Sequence, residues 1–295
     1  MTAVASPHPP VPPTESFVHV APAGERPGFD LAYERRGSGE PVVLLHGIGH
    51  HWQAWEPVLS ILAASCEVIA VDLPGFGASP QLPDGVSYEL DSVIPLLGDA
   101  LSALGLERPH VVGNSLGGLL ALELAQRGYT RSVTALSPAG FWNGAERRYA
   151  YAVLLGMRAG AKGIPDGMLH RMARTAVGRA ALTSTIYARP GRRSPEAVVA
   201  ETRSMRAATG FAPTLKVGRS PDVIFDRDIP DVPVTIGWGE KDRLLLRRQA
   251  TRAKKAIPGA RLVPLPGCGH VPMNDDPALV AQLVLETVRA SEPAA

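Results

Sequence analysis

The run Pro109-His110-Val111-Val112-Gly113-Asn114-Ser115-Leu116-Gly117-Gly118 decides how this chain is read. An apolar stretch stops at a glycine. A serine follows, with a glycine two positions away on each side, and then the helix-forming run Leu119-Leu120-Ala121-Leu122-Glu123-Leu124-Ala125. This is G-x-S-x-G between a strand and a helix, the context of a nucleophile elbow. A serine on so sharp a turn takes strained backbone geometry while strand and helix pass close by, and Gly113 and Gly117 relieve the crowding. The turn lifts the Ser115 hydroxyl clear of the sheet and places it at a helix N-terminus, where free N–H groups favour developing negative charge. The pentapeptide alone also fits a glycine-rich turn with an incidental serine, so the rest of the chain has to decide.

Outward from that turn, apolar runs alternate with helical patterns. Upstream, residues 17–20 alternate weakly, and 29–35 read as a half-exposed edge strand. Runs 41–45 and 68–71 are continuous and apolar, as in strands buried on both faces of a parallel sheet. A helical pattern through Trp55, Leu59 and Leu62 separates them, and another covers about 91–104. Downstream, residues 132–136 give a sixth strand. The alternation then breaks. From about Gly140 to Ile229 the runs are helical, as at 149–158, 168–176 and 195–208, and the strand pattern resumes at 232–236 and 260–265. The expected architecture is α/β, a doubly wound and mostly parallel sheet with right-handed crossovers. Residues 16–139 and 230–295 form its core, 140–229 form a helical insertion after strand 6, and 1–15 form a proline-rich, disordered or extended arm.

Composition narrows the function. At 295 residues, 45% hydrophobic and 20% charged, with a net charge of +2, the chain is an ordinary globular protein with no general pull toward nucleic acid or membrane. No apolar run reaches the length of a membrane span, and residues 1–15 carry neither the basic nor the apolar region of a secretory signal. Two cysteines, Cys66 and Cys268, make no disulfide framework and suit a cytoplasmic location. Cys268, two residues before His270, reads as a small packing residue. Charge is uneven: 14 Lys/Arg face 4 Asp/Glu between Phe141 and Ser220. That balance either solvates a helical surface or meets an anionic substrate or acidic partner.

In doubly wound sheets ligands bind beyond the carboxyl ends of the strands. Four loops sit there: 46–52, 113–118, 239–242 and 267–271. A serine hydroxyl needs a base, and the base an orienting acid. His270, on a glycine-rich loop after a strand, is the candidate base, and Asp242 the candidate acid, with Glu240 behind it. The order Ser115, Asp242, His270 is that of the elbow motif. Two backbone donors complete an oxyanion hole: Leu116 N–H, just after the nucleophile, and Ile48 N–H, between Gly47 and Gly49. His46 reads as a structural residue, and His50 and His51 as rim residues. No metal cluster is visible, and 113–118 lacks the lysine of a phosphate-binding loop, so no cofactor is expected.

These stretches, together with Asp72-Leu73-Pro74-Gly75-Phe76-Gly77 and Gly269-His270-Val271-Pro272, occur in the order found in the α/β-hydrolase fold superfamily. The chain resembles its branch with a helical cap inserted after the sixth strand. The resemblance spans about residues 29–290; in the cap it holds for position and helical character alone. Haloalkane dehalogenases and epoxide hydrolases of this fold carry aspartate at the elbow, so Ser115 points elsewhere. The resemblance implies acyl chemistry on a small-molecule substrate: hydrolysis of a carboxylic ester of a small to medium, fairly apolar compound through an acyl-enzyme. Expected substrate contacts are Trp52, Phe141, Trp142, Met157 and Val271, with Tyr149, Met168 and Met172 as further cap-side candidates. The alternatives are a carbon–carbon bond hydrolase acting on an anionic ring-cleavage product, a cofactor-free perhydrolase, an enzyme acting on a phosphopantetheinyl or CoA thioester, and a non-enzymatic receptor or partner-binding module. Against the carbon–carbon reading, Val271-Pro272-Met273-Asn274 stands where that group carries a tryptophan-bearing run.

Overall fold

A computed structural model describes residues 16–220 and 223–291. The expected arm at 1–15 lies outside them. Eight strands form one sheet: β1 (Ser16–Val20), β2 (Phe29–Arg36), β3 (Glu40–Leu45), β4 (Cys66–Val71), β5 (His110–Asn114), β6 (Ser132–Leu136), β7 (Val234–Gly239) and β8 (Arg261–Leu265). Their spatial order is β1-β2-β4-β3-β5-β6-β7-β8. β2 pairs antiparallel with both β1 and β4 at one edge, and the remaining pairs are parallel. The continuous apolar runs lie where the sheet is covered on both sides: every residue of β5, β6 and β7 is buried.

The helices are α1 (Glu56–Ala63), α2 (Leu90–Ala103), α3 (Leu116–Gln126), α4 (Gly144–Gly163), α5 (Asp166–Ala173), α6 (Ala176–Thr183), α7 (Pro195–Ala207), α8 (Phe211–Gly218), α9 (Gln249–Ala256), α10 (Pro272–Asp275) and α11 (Pro277–Arg289). The chain leaves β3 toward β4 on one side but travels from β5 toward β6 on the other. Right-handed crossovers in opposite directions put α1 and α3 on opposite faces. α11 packs with α1, and α2 packs with α3. The sheet therefore switches direction between β3 and β5, where a crevice opens for a ligand. Leu45 pairs with Gly113, and Asn114 with Leu136. The loop after β3, the Ser115 turn and the end of β6 thus meet at one edge.

Between β6 and β7 the described residues hold five α-helices and no strand. α4 begins ahead of the pattern at 149–158 because Asn143 and Glu146 cap it reciprocally at 2.9 Å each, and it runs on to Gly163. Buried Glu146 also accepts hydrogen bonds from Arg248 and Arg252, tying α4 to the β7–β8 connection. The run at 168–176 divides into α5 and α6, since the Thr175 hydroxyl accepts from Gly178 N at 3.0 Å and starts a new helix. α8 and the single-turn α10 carry too few periodic residues to be expected from sequence. The arginines of this segment largely serve its own architecture. Arg158 donates to the carbonyls of Met205 and Ala208, Arg206 to those of Ala161 and Ile164, and Arg203 and Arg206 both grip Asp166. No described helix is long and apolar enough to cross a membrane.

Candidate active site

Ser115 caps α3 with φ 56° and ψ −114°, a region that L-residues rarely occupy. Such strain costs about 1–3 kcal/mol and persists only where the surroundings enforce it. Here Ser115 N donates to Leu136 O at 3.0 Å, and Ser115 O accepts from Ala139 N and Leu119 N. The flanking glycines are sterically required. A Cβ on Gly113 would lie 2.0 Å from Gly117 O, and one on Gly117 would lie 2.1 Å from Leu45 O. The loop after β3 is close as well, since a Cβ on Gly47 would stand 3.3 Å from the Ser115 Cβ.

His270 Nδ1 and Asp242 Oδ2 are 2.8 Å apart, and both residues are buried. The other Asp242 oxygen accepts from Leu244 N at 2.9 Å and Leu245 N at 2.8 Å, so the carboxylate cannot turn away. The same two bonds hold a turn at 243–248 ahead of α9, which begins at Gln249. With Nδ1–H given to Asp242, His270 Nε2 is left as an acceptor. His270 and Ser115 line one cavity of about 20 Å³, together with Gly47, Ile48 and Val271. Glu240 instead lies on the surface, 3.7 Å from Arg247. The N–H groups of Ile48 and Leu116 have no protein acceptor among the described residues.

Two residues that support this arrangement escaped the sequence reading. Asn114 Nδ2 donates to Leu136 O at 3.0 Å and His270 O at 2.9 Å, pinning the loop of the candidate base to the elbow. Its only signal in sequence was its place inside the motif. Asp275, fully buried, accepts from Gly269 N at 2.8 Å, Ala188 N at 2.9 Å and Arg189 N at 2.6 Å. It joins the His270 loop to the segment between α6 and α7. Val271 N adds a bond to Ile186 O at 3.1 Å.

The remaining loop residues are structural. His46 Nε2 accepts from Leu73 N at 3.0 Å, so its Nδ1 carries the hydrogen given to Gly47 O at 2.7 Å. His50 and His51, expected at the rim, are buried. Burial pushes the pKa of His46 and of His50 down to about 3. Each stays neutral in the folded protein but titrates near about 6.5 when unfolded, so the unfolded chain binds more protons below that pH. Their contribution is complete above pH ~6.5 and is lost as pH falls toward the folded values. Urea unfolding is expected to show lower stability at pH 5 than at pH 7.5, by on the order of 2 kcal/mol for each of the two. Equal stability at the two values would contradict this account. The Cys268 thiol is buried and pushed up to about 12, which fits a packing residue.

The 20 Å³ cavity shares Ile48, Ser115, Leu154 and Leu244 with an apolar pocket of about 60 Å³ that also holds Leu116, Trp142, Tyr151 and Leu215. On its other side it shares His50, Met157, Ile186 and Met205 with a cavity of about 370 Å³ among α4, α6 and α7. Trp142, Met157 and Val271 therefore reach these spaces. Trp52 and Phe141 do not. Trp52 is fully buried, its backbone N–H given to Asp72 at 2.6 Å and its ring 5.8 Å from the Arg36 guanidinium carbon. Phe141 packs on Phe225 at 5.8 Å between ring centres. Tyr149 and Met168 are exposed, and Met172 lines none of the three spaces.

Residues 42–283 match the sequence profile of the Alpha/beta hydrolase family. Over 281 residues the chain is 31% identical to an uncharacterized protein of Mycobacterium tuberculosis, covering 90% of this chain and 80% of that one. A 103-residue stretch is 41% identical to the 2-hydroxy-6-oxo-2,4-heptadienoate hydrolase of Pseudomonas putida, covering 34% of this chain and 37% of that protein. Among solved structures, a thermophilic esterase from Thermogutta terrifontis shares the fold, with a TM-score of 0.71 at 20% identity over 94% of this chain and 99% of that one. Matched over residues 42–283 and supported by a relative aligned over 90% of the chain, the chain belongs to the alpha/beta hydrolase family.

Proposed function

We propose that the protein is a serine hydrolase that cleaves a carboxylic ester of a small to medium, fairly apolar substrate, with residues 140–229 as the cap that encloses it. The observation that carries this reading is the strained Ser115 sharing a cavity with His270, whose Nδ1 is bonded to buried Asp242. Ser115 Oγ attacks the acyl carbonyl while His270 Nε2 takes its proton. The oxyanion gathers between the N–H groups of Ile48 and Leu116, each such donor being worth about 3–4 kcal/mol of barrier. The alcohol leaves with the proton from His270. Water, deprotonated by the same nitrogen, then releases the acid and restores Ser115. Asp242 holds the imidazole in register and stabilises its charged form.

Wild-type protein is expected to turn over p-nitrophenyl acetate and butyrate and to react with a serine-directed fluorophosphonate. Ser115→Ala is expected to lose both, with kcat down by ~10⁴ or more. Retained turnover in Ser115→Ala would remove Ser115 from the mechanism.

The stretch shared with a heptadienoate hydrolase favours a second reading, carbon–carbon bond cleavage of an anionic dienoate. No lysine or arginine lines any of the three spaces at Ser115, which supports a neutral substrate instead. Comparing kcat/KM on a neutral aryl ester and on a dienoate ring-cleavage product separates the two readings.

A further inference from the structure

The spaces on either side of Ser115 are unequal, and the one that holds it is too small for an ester. About 20 Å³ is little more than the room a single water needs. A substrate must therefore move a wall. Toward the 60 Å³ pocket the shared walls, Ser115 apart, are Ile48, Leu154 and Leu244, all branched. Toward the 370 Å³ cavity they are His50, Ile186, Met157 and Met205. His50 is a rigid ring and Ile186 branches at Cβ, but the two methionines are unbranched, and such side chains re-pack most readily. The larger space is also the one that meets solvent. Gly156 and Ala181 on its wall are exposed, whereas no described residue lining the 60 Å³ pocket is. Even with a further apolar space of about 60 Å³ beyond Leu116 and Leu119 counted, the smaller side stays well below 370 Å³.

The chemistry decides which half of an ester goes where. The alcohol oxygen takes its proton from His270, so the alcohol departs past that ring. The 370 Å³ cavity lies on that side. Val271 N donates to Ile186 O at 3.1 Å, a Cβ on Gly269 would stand 2.7 Å from the same oxygen, and Ile186 lines the cavity. The acyl carbon stays bonded to Ser115 after the alcohol has gone. Its substituent is left with the pocket lined by Ser115 and by Ile48 and Leu116, the residues whose N–H groups receive the oxyanion.

We infer that the substrate is an ester small in its acid and large in its alcohol, with the alcohol portion lying in the 370 Å³ cavity past Met157 and Met205. This rests on the esterase reading of Ser115.

The test uses isomeric esters, so that overall size and polarity match within a pair: 2-phenylethyl acetate with methyl 3-phenylpropanoate, and propyl acetate with methyl butanoate. On the full-length wild-type protein the bulky acetate is expected to have a kcat/KM about tenfold or more above that of its isomer, and the small pair to differ by less than about threefold. A smaller ratio for the bulky pair overturns the inference. So does an equal ratio in the two pairs, since size would then not be the cause.

Two neighbours on α4 separate the two spaces. Val153 lines the larger one, and Leu154 is a wall of the smaller. Val153→Phe should fill the larger space and cut the bulky-pair ratio by about fivefold or more, through loss on the acetate. Leu154→Ala should cut the same ratio as far by raising turnover of methyl 3-phenylpropanoate, a gain that loosening of the fold would not produce. Equal losses on both isomers in the first variant, or no gain in the second, overturn the inference. Failure of the esterase reading looks different: wild-type protein turns over no ester of either pair. Calorimetry on the Ser115→Ala form then reads the larger space alone. Val153→Phe should weaken its binding of 2-phenylethyl acetate by about fivefold or more, and absent or unchanged binding overturns the assignment of that space.

Discussion

Replacing His270 with alanine will lower kcat on p-nitrophenyl butyrate by about 10⁴-fold or more, with a much smaller change in KM, as removal of a triad member does. The size follows from what the residue holds and from the absence of a substitute. Asp242 is fixed by two backbone donors and can orient only the ring bonded to it. His50 is the other imidazole on the cavity, yet burial holds its pKa at about 3. A base that weak cannot take a serine proton near neutral pH at a useful rate. Steady-state kinetics on the purified variant decides the matter, and a loss under tenfold would withdraw the assignment of His270.

Gly117→Ala should be among the most damaging single methyl additions in the protein. The added carbon would lie 2.1 Å from Leu45 O, 2.6 Å from Leu45 C and 2.8 Å from His46 O. All three are backbone atoms at the end of β3, a strand paired on both sides, so no side chain can swing away. Overpacking of this kind costs about 3 kcal/mol or more. It also pushes the elbow away from the loop that carries Ile48, so activity should fall even at temperatures where the protein stays folded. Urea unfolding measures the first effect and p-nitrophenyl butyrate turnover the second. Gly160→Ala is the matched control. It lies within α4 with open space around its added carbon and should stabilise by about 0.5–1 kcal/mol. A cost below about 1 kcal/mol for Gly117→Ala would mean that the β3–α3 packing relaxes more easily than its geometry implies.

What could be read from sequence was whatever local spacing encodes. The elbow declares itself because Gly113, Ser115 and Gly117 satisfy a steric demand within five residues. Asp242 and His270 were legible because each follows a strand, and the topology of a parallel sheet brings such loops to one edge. Trp52 misled because nothing local marks its ring as core, whereas Asp72, twenty positions on, takes its backbone N–H and the side chain is fully buried. Phe141 misled for the same reason: its partner Phe225 is distant in sequence and carries no local mark. The 370 Å³ cavity was invisible. It exists through the way α4, α6 and α7 lean together, and α6 begins at a cap that a hydropathy pattern does not register. The arginine-rich composition of the insertion suggested an anionic ligand, yet much of it is spent on carbonyls and on Asp166 inside the insertion itself.

Asp275 bears on how such enzymes diversify. Its carboxylate holds the loop of the candidate base with one contact and residues 188–189 with two more. The sheet-bearing core and the helical segment between β6 and β7 are thus not separate parts with a clean seam. A chimera that exchanged everything between β6 and β7 for the insertion of a relative would put at risk two of the three backbone bonds to the Asp275 carboxylate, however well the new helices matched the new ligand. The unit that can be transplanted intact is the insertion together with the 269–275 segment, to which its residues 186–192 attach.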